Sequence, residues 1–388
     1  MPMRAGMHVV VPPRVARWCV ASLAAVAALA CSAAPAAQAA TSAPVSHQVS
    51  QSPAQVRAYW TPQRMQSAEP VDSPEVAGPS AAVASVASMD SQASGRAVEI
   101  HPTYGKSTYA YEPGSETSFP QRVHGKIFFT VPTQGDFACS GTLVASLLRN
   151  VVVTAGHCVD DPDVQQWSTN LIFIPAYRDG AAPLGAYPAT SLLSTDEWTK
   201  GGDLSYDVGI AQLATPLEVQ LGARGIVFNK PPKFTYQIFG YPGLPNPPYN
   251  GERLVACDAS FFALENTGHP FSTIAYPCDM EEGSSGGGWV TPAGAVASVV
   301  SHGSCEFDPT TCGQIAGPYF GDSIKALYNK AGGSAECPPA RQAAKQAGKQ
   351  VKKARKLARH HSSRKAAKRL KKDSRKFNKA KNKRDSVC

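Results

Sequence analysis

The sequence predicts an all-β fold, an antiparallel sandwich or barrel flanked by disordered segments. Gly and Pro contribute 32 residues each and charged residues only 17%, a composition typical of a loop-rich β core. Short β-branched or aromatic segments recur between Gly, Pro and Asn turns from about residue 119 onward. Both ends of the chain, in contrast, are strongly biased in composition.

Ten segments have the pattern of strands. They are residues 126–131, 139–145, 151–155, 171–175, 208–213, 225–228, 234–239, 253–257, 273–276 and 296–300. A short C-terminal helix is predicted after Asp322, because Ile324, Leu327 and Tyr328 share one face and Gly332 ends the pattern. The folded part is therefore large enough for one substantial core or for two smaller ones side by side.

The N-terminus has the pattern of a secretory signal. Three arginines precede an apolar run over residues 18–37, and Ala37-Gln38-Ala39 is a small-x-small cleavage site. We therefore expect residues 1–39 to be a signal peptide and the protein to be extracellular. An uncleaved anchor and a lipoprotein signal at Cys31 are the alternatives. No later stretch of 18 or more apolar residues occurs, which excludes a polytopic membrane protein.

The signal is followed by a low-complexity stretch. Residues 41 to about 97 are dominated by Ala, Ser, Pro, Gln and Val, without hydrophobic periodicity. Such a composition predicts disorder. We assign residues 40–118 to a propeptide or an Ala/Ser/Pro-rich linker, and residues 119–336 to the folded domain.

Residues 337–388 form a basic tail. The last 51 residues contain 20 Lys and Arg and 2 Asp, a net charge of +18, whereas the rest of the chain carries −9. A segment of this charge can bind polyanions, and we expect an anionic cell-surface polymer to retain the protein there. Phe377 is the one aromatic residue in this tail, so specific nucleic-acid binding is not expected. We expect a monomer.

Three short blocks contain the residue types of nucleophilic catalysis. They are Thr-Ala-Gly-His-Cys at 154–158, Tyr-Asp-Val-Gly-Ile-Ala at 206–211 and Gly-Ser-Ser-Gly-Gly-Gly at 283–288. A serine hydroxyl needs a base, His is the base best matched to pH 7, and a carboxylate fixes the His tautomer. Glycines beside the serine permit a tight turn that aims backbone N–H groups at an oxyanion.

The blocks give one candidate of each type, with two alternatives. The candidates are His157, Asp207 and Ser285. Asp203 competes for the carboxylate role, but Asp207 directly precedes an apolar strand, whereas Asp203 fits a turn. Ser284 competes as nucleophile, but only Ser285 has Gly two residues before it and Gly at both following positions.

In this order the blocks resemble those of the chymotrypsin-fold (trypsin-like) serine endopeptidases, most closely the secreted bacterial branch that includes the glutamyl endopeptidases. Cys-Ser-Gly-Thr-Leu-Val at 139–144, Phe-Gly-Tyr-Pro at 239–242 and Cys-Asp-Met at 278–280 are also similar to that branch. The resemblance covers about residues 119–328. It implies two packed six-stranded antiparallel β-barrels with the site in the cleft between them. It also implies a secreted hydrolase that cleaves proteins or peptides through an acyl-enzyme.

The resemblance also implies a role for each residue. His157 acts as general base and then general acid, Asp207 orients it, and Ser285 attacks the carbonyl carbon. The N–H groups of Gly283 and Ser285 form the oxyanion hole. Ser284 stands where trypsin-like zymogens have an Asp that pairs with a new N-terminus. Propeptide control must therefore block the cleft or use another N-terminal contact.

Four further residues are candidates for substrate binding. Ser301, His302 and Gly303 resemble the segment that lines the cleft, and the serine of that segment usually supports the Asp. Asp279 lies six residues before Ser285, where an acidic side chain would favour Lys or Arg. His302 would instead favour an acidic substrate side chain, so the specificity stays open. A Lys/Arg-specific enzyme would find 20 cleavage sites in its own last 51 residues, which argues mildly against that preference.

Eight cysteines remain after the signal, an even number that favours disulfides in an exported chain. Spacing and resemblance together suggest the pairs Cys139–Cys158, Cys257–Cys278 and Cys305–Cys312. Cys337 and Cys388 are left, to pair with each other or between molecules. We expect no metal site and no cofactor, since metal-cluster, phosphate-loop and dinucleotide patterns are all absent from the sequence. The alternative to a protease is a noncatalytic surface-binding protein that uses the basic tail.

Overall fold

The computed structural model describes residues 43–71, 96–100, 116–265, 271–303 and 313–333, together with 349, 352, 374–376 and 378 in the tail. The predicted signal peptide and most of the basic tail lie outside these residues. The described chain is mostly β, so the predicted fold class is confirmed. Within it, every helix is too short or too polar to cross a membrane.

The described residues form nineteen strands and five α-helices. The strands are β1 (Pro44–Gln48), β2 (Glu69–Pro70), β3 (Val98–Ile100), β4 (His124–Val131), β5 (Gly135–Val144), β6 (Val151–Thr154), β7 (Asp160–Asp161), β8 (Gln166–Trp167), β9 (Thr169–Pro175), β10 (Tyr187–Thr195), β11 (Gly209–Leu213), β12 (Gly225–Phe228), β13 (Thr235–Gly240), β14 (Val255–Glu265), β15 (Ser272–Tyr276), β16 (Gly288–Val290), β17 (Ala295–Val299), β18 (His302–Gly303) and β19 (Ile315–Pro318). The helices are α1 (Pro53–Tyr59), α2 (Pro62–Ser67), α3 (Asp196–Gly201), α4 (Glu218–Leu221) and α5 (Asp322–Lys330).

The first sheet closes into an antiparallel barrel of six strands. Its order is β10, β11, β6, β5, β4 and β9, and β9 pairs back to β10. Alternate side chains of β4 point inward, so Ile127 and Phe129 join the barrel core while Phe128 faces outward. Two short strands from the N-terminal region extend this sheet: β1 pairs with β10, and β2 pairs with β5.

The second sheet has nine strands, in the order β18, β19, β15, β14, β13, β16, β17, β12 and β3. It surrounds a second core that includes Tyr236, Ile238 and Trp289. Between the sheets lies a further apolar cluster, to which α5 contributes Ile324, Leu327 and Tyr328. The C-terminal helix predicted from these three residues is therefore confirmed.

The expectation of disorder is wrong for residues 43–71. They form β1, α1, α2 and β2, and they pack on the outside of the barrel. Local signals account for the helices, since Ser52 caps α1 through a capping box and Thr61 caps α2. The assignment of residues 40–118 to a propeptide or linker, and the other domain boundaries, stay predictions.

Candidate active site

The structure brings His157 and Asp207 into direct contact. His157 follows β6 and Asp207 precedes β11, and these two strands pair antiparallel. The His157 Nδ1 lies 2.8 Å from Asp207 Oδ2, and the His157 backbone N–H donates to Asp207 Oδ1 at 2.9 Å. The carboxylate therefore fixes both the ring and the main chain of the histidine.

Gly156 is required at this contact by the space around it. A Cβ at this position would lie 2.8 Å from Asp207 Oδ1 and 2.8 Å from the Trp198 ring. Trp198 lies on α3, is buried, and donates through Nε1 to the carbonyl of Asp160 at 3.1 Å. Its ring centroid is 6.2 Å from that of His157. This tryptophan is not among the residues predicted from the sequence, although Asp196 in the first turn marks the short capped helix that carries it.

Asp207 is fully buried and still favours its charged form. Burial acts to raise its pKa, but the electrostatic attraction of His157 and hydrogen bonds from His157 and Ser301 outweigh burial, so the pKa lies below its usual value. The competing residue, Asp203, is placed elsewhere: its Oδ1 accepts the Ser205 N–H at 2.9 Å as the cap of a short 3-10 turn.

Ser285 lies in the glycine-rich turn beside these residues. Its carbonyl oxygen accepts the Ser140 N–H at 2.7 Å and lies 3.8 Å from Cys158 Sγ, next to His157. Gly286 has φ +80°, and a Cβ there would lie 2.0 Å from Thr154 Oγ1, so only glycine fits. The neighbouring Ser284 is turned away, because its hydroxyl donates to the Glu281 carbonyl at 2.5 Å.

Two groups of this turn have no protein partner among the described residues. The N–H groups of Gly283 and Ser285 donate to no protein acceptor there. The His157 Nε2 is likewise buried without a hydrogen-bond partner. Gly283 has φ +82°, a left-handed conformation that other residues rarely adopt. The turn therefore offers two N–H donors to a bound group, and His157 beside it offers a ring nitrogen.

Ser140 is a residue that the sequence analysis did not single out. It is buried, and its hydroxyl donates to the Gly283 carbonyl at 2.8 Å and accepts the Tyr241 N–H at 2.8 Å. Because its main-chain N–H also donates to the Ser285 carbonyl, Ser140 holds both ends of the turn. The sequence contained no signal for this role beyond its place in the Cys-Ser-Gly-Thr block.

A chain of hydrogen bonds extends from Asp207 to Glu265 at the end of β14. The Ser301 hydroxyl donates to Asp207 Oδ2 at 2.6 Å, His302 Nδ1 lies 3.1 Å from Ser301 Oγ, and His302 Nε2 lies 3.2 Å from Glu265 Oε1. Because the Ser301 proton is used on Asp207, His302 Nδ1 must carry a proton and donate.

The four predicted substrate-binding residues are separated in the structure. Ser301, His302 and Gly303 follow one another beside Asp207 and are all buried. Asp279 instead lies exposed on the surface, where its Oδ1 accepts the Tyr249 hydroxyl at 2.8 Å. Burial and this bond to Asp279 raise the pKa of Tyr249 to about 12.

Two of the expected disulfides are present. Cys139–Cys158 ties β5 to the segment that carries His157, and Cys257–Cys278 ties β14 to the segment before the glycine-rich turn. Cys305 and Cys312 lie outside the described residues, as do Cys337 and Cys388. These cross-links restrict the unfolded chain around both halves of the site.

A closed antiparallel barrel packed beside a second sheet, with His, Asp and Ser in this order, defines a serine protease of the chymotrypsin fold. The chain is similar to the thermostable serine protease AL20 from an extremophilic microorganism, with 35% identity over 54% of this chain and 97% of that one, and a TM-score of 0.48. It is also similar to the protease Anisep from Arthrobacter nicotinovorans, with 34% identity over 55% of this chain and 96% of that one, and a TM-score of 0.48. At this identity over almost all of those proteins, the chain belongs to the bacterial serine proteases of the chymotrypsin fold, and the resemblance read from the motifs is confirmed.

Two weaker likenesses complete the comparison. A Glu endopeptidase structure is 19% identical over 58% of this chain and 96% of that one, with a TM-score of 0.46. The extracellular metalloprotease of Bacillus subtilis (strain 168) is 36% identical over 100 residues, which are 26% of this chain and 31% of that protein. The chain thus matches about a third of the length of that curated relative. No family model matches the chain.

The Bacillus relative is named a metalloprotease, so the donor atoms of this chain are compared with the needs of a metal site. In the described residues, one group of His and Cys donor atoms lies close enough for an ion, that of Cys139, His157 and Cys158. The two sulfurs are joined in a disulfide and offer no thiolate, so this donor set does not fit a metal. The disulfides and a relative named as extracellular agree with an extracellular protein.

Proposed function

We propose that this protein is a secreted serine endopeptidase that hydrolyses peptide bonds through His157, Asp207 and Ser285. One observation carries the proposal. The buried Asp207 holds His157 through its ring and its main chain, beside a turn whose glycines leave two N–H groups for an oxyanion. A protein that only binds a partner would not need this combination of an oriented histidine, a buried carboxylate and two free N–H groups.

The geometry supports a defined course of proton transfer. Asp207 accepts the Nδ1–H of His157, which leaves the lone pair on Nε2 to take the proton of the Ser285 hydroxyl. The Ser285 oxygen attacks the carbonyl carbon, and the carbonyl oxygen becomes an oxyanion that accepts the N–H groups of Gly283 and Ser285. His157 then gives its proton to the departing amine, and water releases the acyl group by the same steps.

Asp207 acts by staying ionised. Its lowered pKa keeps it charged over the working range of a secreted enzyme, so it stabilises the imidazolium formed at His157. Ser301 assists by donating to the same carboxylate oxygen. We therefore assign Ser301 to positioning Asp207, and the main chain of Ser301, His302 and Gly303 to contact with the substrate.

Fluorophosphonate labelling of the secreted protein tests the proposal. We expect labelling in the wild type and in Ser284→Ala, and none in Ser285→Ala, because Ser284 is bound to the Glu281 carbonyl. Asp207→Asn should lower kcat on a peptide substrate by about 10⁴, as loss of the correct His tautomer does in this chemistry. Labelling that persists in Ser285→Ala would refute the assignment.

Retention at the cell surface through residues 337–388 and the monomeric state stay predictions. The tail lies almost wholly outside the described residues. Release of the protein from producing cells by salt, in proportion to ionic strength, is the result expected for electrostatic retention.

A further inference from the structure

We propose that residues 43–71 form a cover on the barrel and that the tip of this cover, residues 68–71, blocks the cleft beside Ser285. The inference rests on the proposed function and concerns its regulation. The cover is anchored by the pairing of β1 with β10 and by the packing of Val56 and Trp60 on the barrel, and its tip lies against Gly283. Blockage can therefore be relieved at the tip while the rest of the cover stays in place.

The first anchor is a strand pairing. β1 runs antiparallel to β10 from Pro44 opposite Thr195 to Gln48 opposite Ser191, and the Val49 N–H adds a bond to the Thr190 carbonyl at 3.0 Å. β10 also pairs with β11 from Ala189 to Leu193 and with β9 at Tyr187 and Pro188. The cover thus completes the hydrogen bonding of a barrel strand.

The second anchor is apolar. Val56 and Trp60 of the cover are buried against Phe128 and Ile172, which face outward from the barrel. The Trp60 Nε1–H donates to the Asn170 carbonyl at 2.6 Å. Without the cover these outward side chains would form an exposed apolar patch, so the cover is part of the folded body.

The tip lies on the strand that supports the nucleophile. β2 pairs in parallel with β5, Glu69 opposite Phe137 and Pro70 opposite Ala138, and the Val71 N–H donates to the Ala138 carbonyl at 3.1 Å. Two residues further along β5, Ser140 donates to the carbonyl of Ser285. The tip therefore occupies the edge of β5 directly beside the turn.

Pro70 lies close to Gly283, one of the two residues of the proposed oxyanion hole. A Cβ placed on Gly283 would lie 3.3 Å from Pro70 Cβ, and one placed on Gly243 would lie 2.4 Å from Pro70 Cγ. A cavity of about 340 Å³ lies behind this contact, lined by Met65 and Gln66 from the cover and by Lys126 from the barrel. The tip forms the part of the cavity wall that lies next to Gly283.

The tip occupies one side of the cleft only. Ser301 bonds Asp207, whereas the tip pairs with β5, the strand that bonds Gly283 and Ser285 through Ser140. A peptide that extends past Ser285 along this edge of β5 would need the Ala138 carbonyl, which the Val71 N–H now occupies. Long peptides are excluded until the tip leaves, and a small reagent that ends at the serine is excluded less.

Loss of one main-chain hydrogen bond should open the cleft measurably. A hydrogen bond contributes about 1 kcal/mol, which corresponds to about a fivefold change in the open population when the closed form dominates. Val71→Pro removes the N–H that bonds Ala138. Val71→Ala is the matched control, because it loses the same apolar side chain and keeps the N–H.

The experiment compares these two full-length variants with the wild type. A third protein carries a cleavage site for an unrelated sequence-specific protease, inserted between residues 72 and 95, and is measured before and after cutting. Each is tested with a small fluorophosphonate and with an internally quenched peptide that extends on both sides of the scissile bond. Thermal unfolding checks that each variant is folded.

We expect Val71→Pro to hydrolyse the long peptide about fivefold faster than Val71→Ala. Cutting the third protein should increase its rate of peptide hydrolysis by more than that. The rate of fluorophosphonate labelling should change less than the rate of peptide hydrolysis. Equal peptide hydrolysis in all forms, with Ser285 labelled in each, would overturn the blockage and leave the proposed function intact. Labelling that is absent from every form would overturn the proposed function and the blockage together.

Discussion

The Ser140 hydroxyl lies 2.8 Å from the Gly283 carbonyl oxygen and donates a hydrogen bond to it. Through this bond a strand of the first barrel fixes the Gly283–Ser284 peptide, which lies between the two N–H donors of the proposed oxyanion hole. The same hydroxyl accepts the Tyr241 N–H, and the Ser140 N–H donates to the Ser285 carbonyl. One residue, through its hydroxyl and its main-chain N–H, thus ties β5 to both ends of the turn and to the end of β13.

Ser140→Ala should therefore lower kcat by about tenfold or more. Loss of a whole oxyanion donor costs about 10²- to 10³-fold, and displacement of the turn costs part of that. The free energy of unfolding should fall by about 1–3 kcal/mol, because two buried groups lose a partner. Steady-state hydrolysis of a peptide and urea unfolding measure the two effects.

Ser298→Ala is the control for this variant. Ser298 is also buried, and its hydroxyl donates to the Pro318 carbonyl at 2.8 Å, between β17 and β19. We expect a similar loss of stability with kcat nearly unchanged. Equal losses of kcat in the two variants would show that Ser140 acts through stability alone.

The site could be read from the sequence where its residues lie in short blocks. His157, Asp207 and Ser285 each lie in a block whose neighbours constrain them, such as Gly156 and Gly286, which no other residue could replace without a clash. The role of Ser140 could not be read in this way. Its partners Gly283 and Tyr241 lie 143 and 101 residues away, and a serine in a strand gives no sign of such contacts.

In the fold, too, some elements could be predicted from the local sequence and others could not. Strands with a clear β-branched or aromatic pattern, such as β4 and β6, were predicted, whereas β10 was missed because its sequence contains Pro, Ser and Thr. Its hydroxyls are satisfied locally: Ser194 donates to the Val208 carbonyl at 2.9 Å. The folded structure of residues 43–71 was not predicted. A few apolar residues of this segment, Val56 and Trp60 among them, are buried, and the average composition of the segment does not reveal them.

Trp60→Ala tests whether the cover is part of the folded body. A buried tryptophan replaced by alanine in a core costs about 3–5 kcal/mol, and we expect a loss near 3 kcal/mol in the free energy of unfolding. Arg64→Ala is the control on the same segment, because Arg64 is half exposed and makes a surface ion pair with Asp136 at 3.1 Å. Its loss should stay within about 1 kcal/mol.

Thermal or urea unfolding of the secreted protein measures both variants. An unchanged transition in Trp60→Ala would mean that residues 43–71 leave the barrel in solution. That result would also remove the anchor on which the proposed blockage depends.

Asp279→Asn tests the trypsin-like reading of specificity. The Asp279 side chain is exposed and bound to Tyr249, so we expect kcat/KM on Lys or Arg peptides to change by less than about threefold. A carboxylate that paired with a buried substrate cation would instead contribute about 2–5 kcal/mol, or some 30-fold and more. Peptide profiling of wild type and variant decides, and a selective loss on Lys and Arg would refute the expectation.

The stability of the protein should fall in mild acid because of a buried pair at the start of β4. The Arg224 Nε–H donates to His124 Nε2 at 3.1 Å, and His124 Nδ1 lies 2.9 Å from Thr142 Oγ1. This arrangement requires the neutral ring with its proton on Nδ1. Burial first, and the Arg224 charge second, hold the pKa of His124 well below its usual 6.5.

The sign follows from the proton count. Below pH 6.5 the unfolded chain binds a proton at His124 and the folded protein does not, so unfolding is favoured as the pH falls. Between pH 6.5 and 5 this one group should remove about 2 kcal/mol from the free energy of unfolding. Urea unfolding at a series of pH values measures the slope. In His124→Gln, which is neutral throughout, the slope should be smaller by about one proton, and equal slopes in the two proteins would mean that His124 is protonated in the folded state.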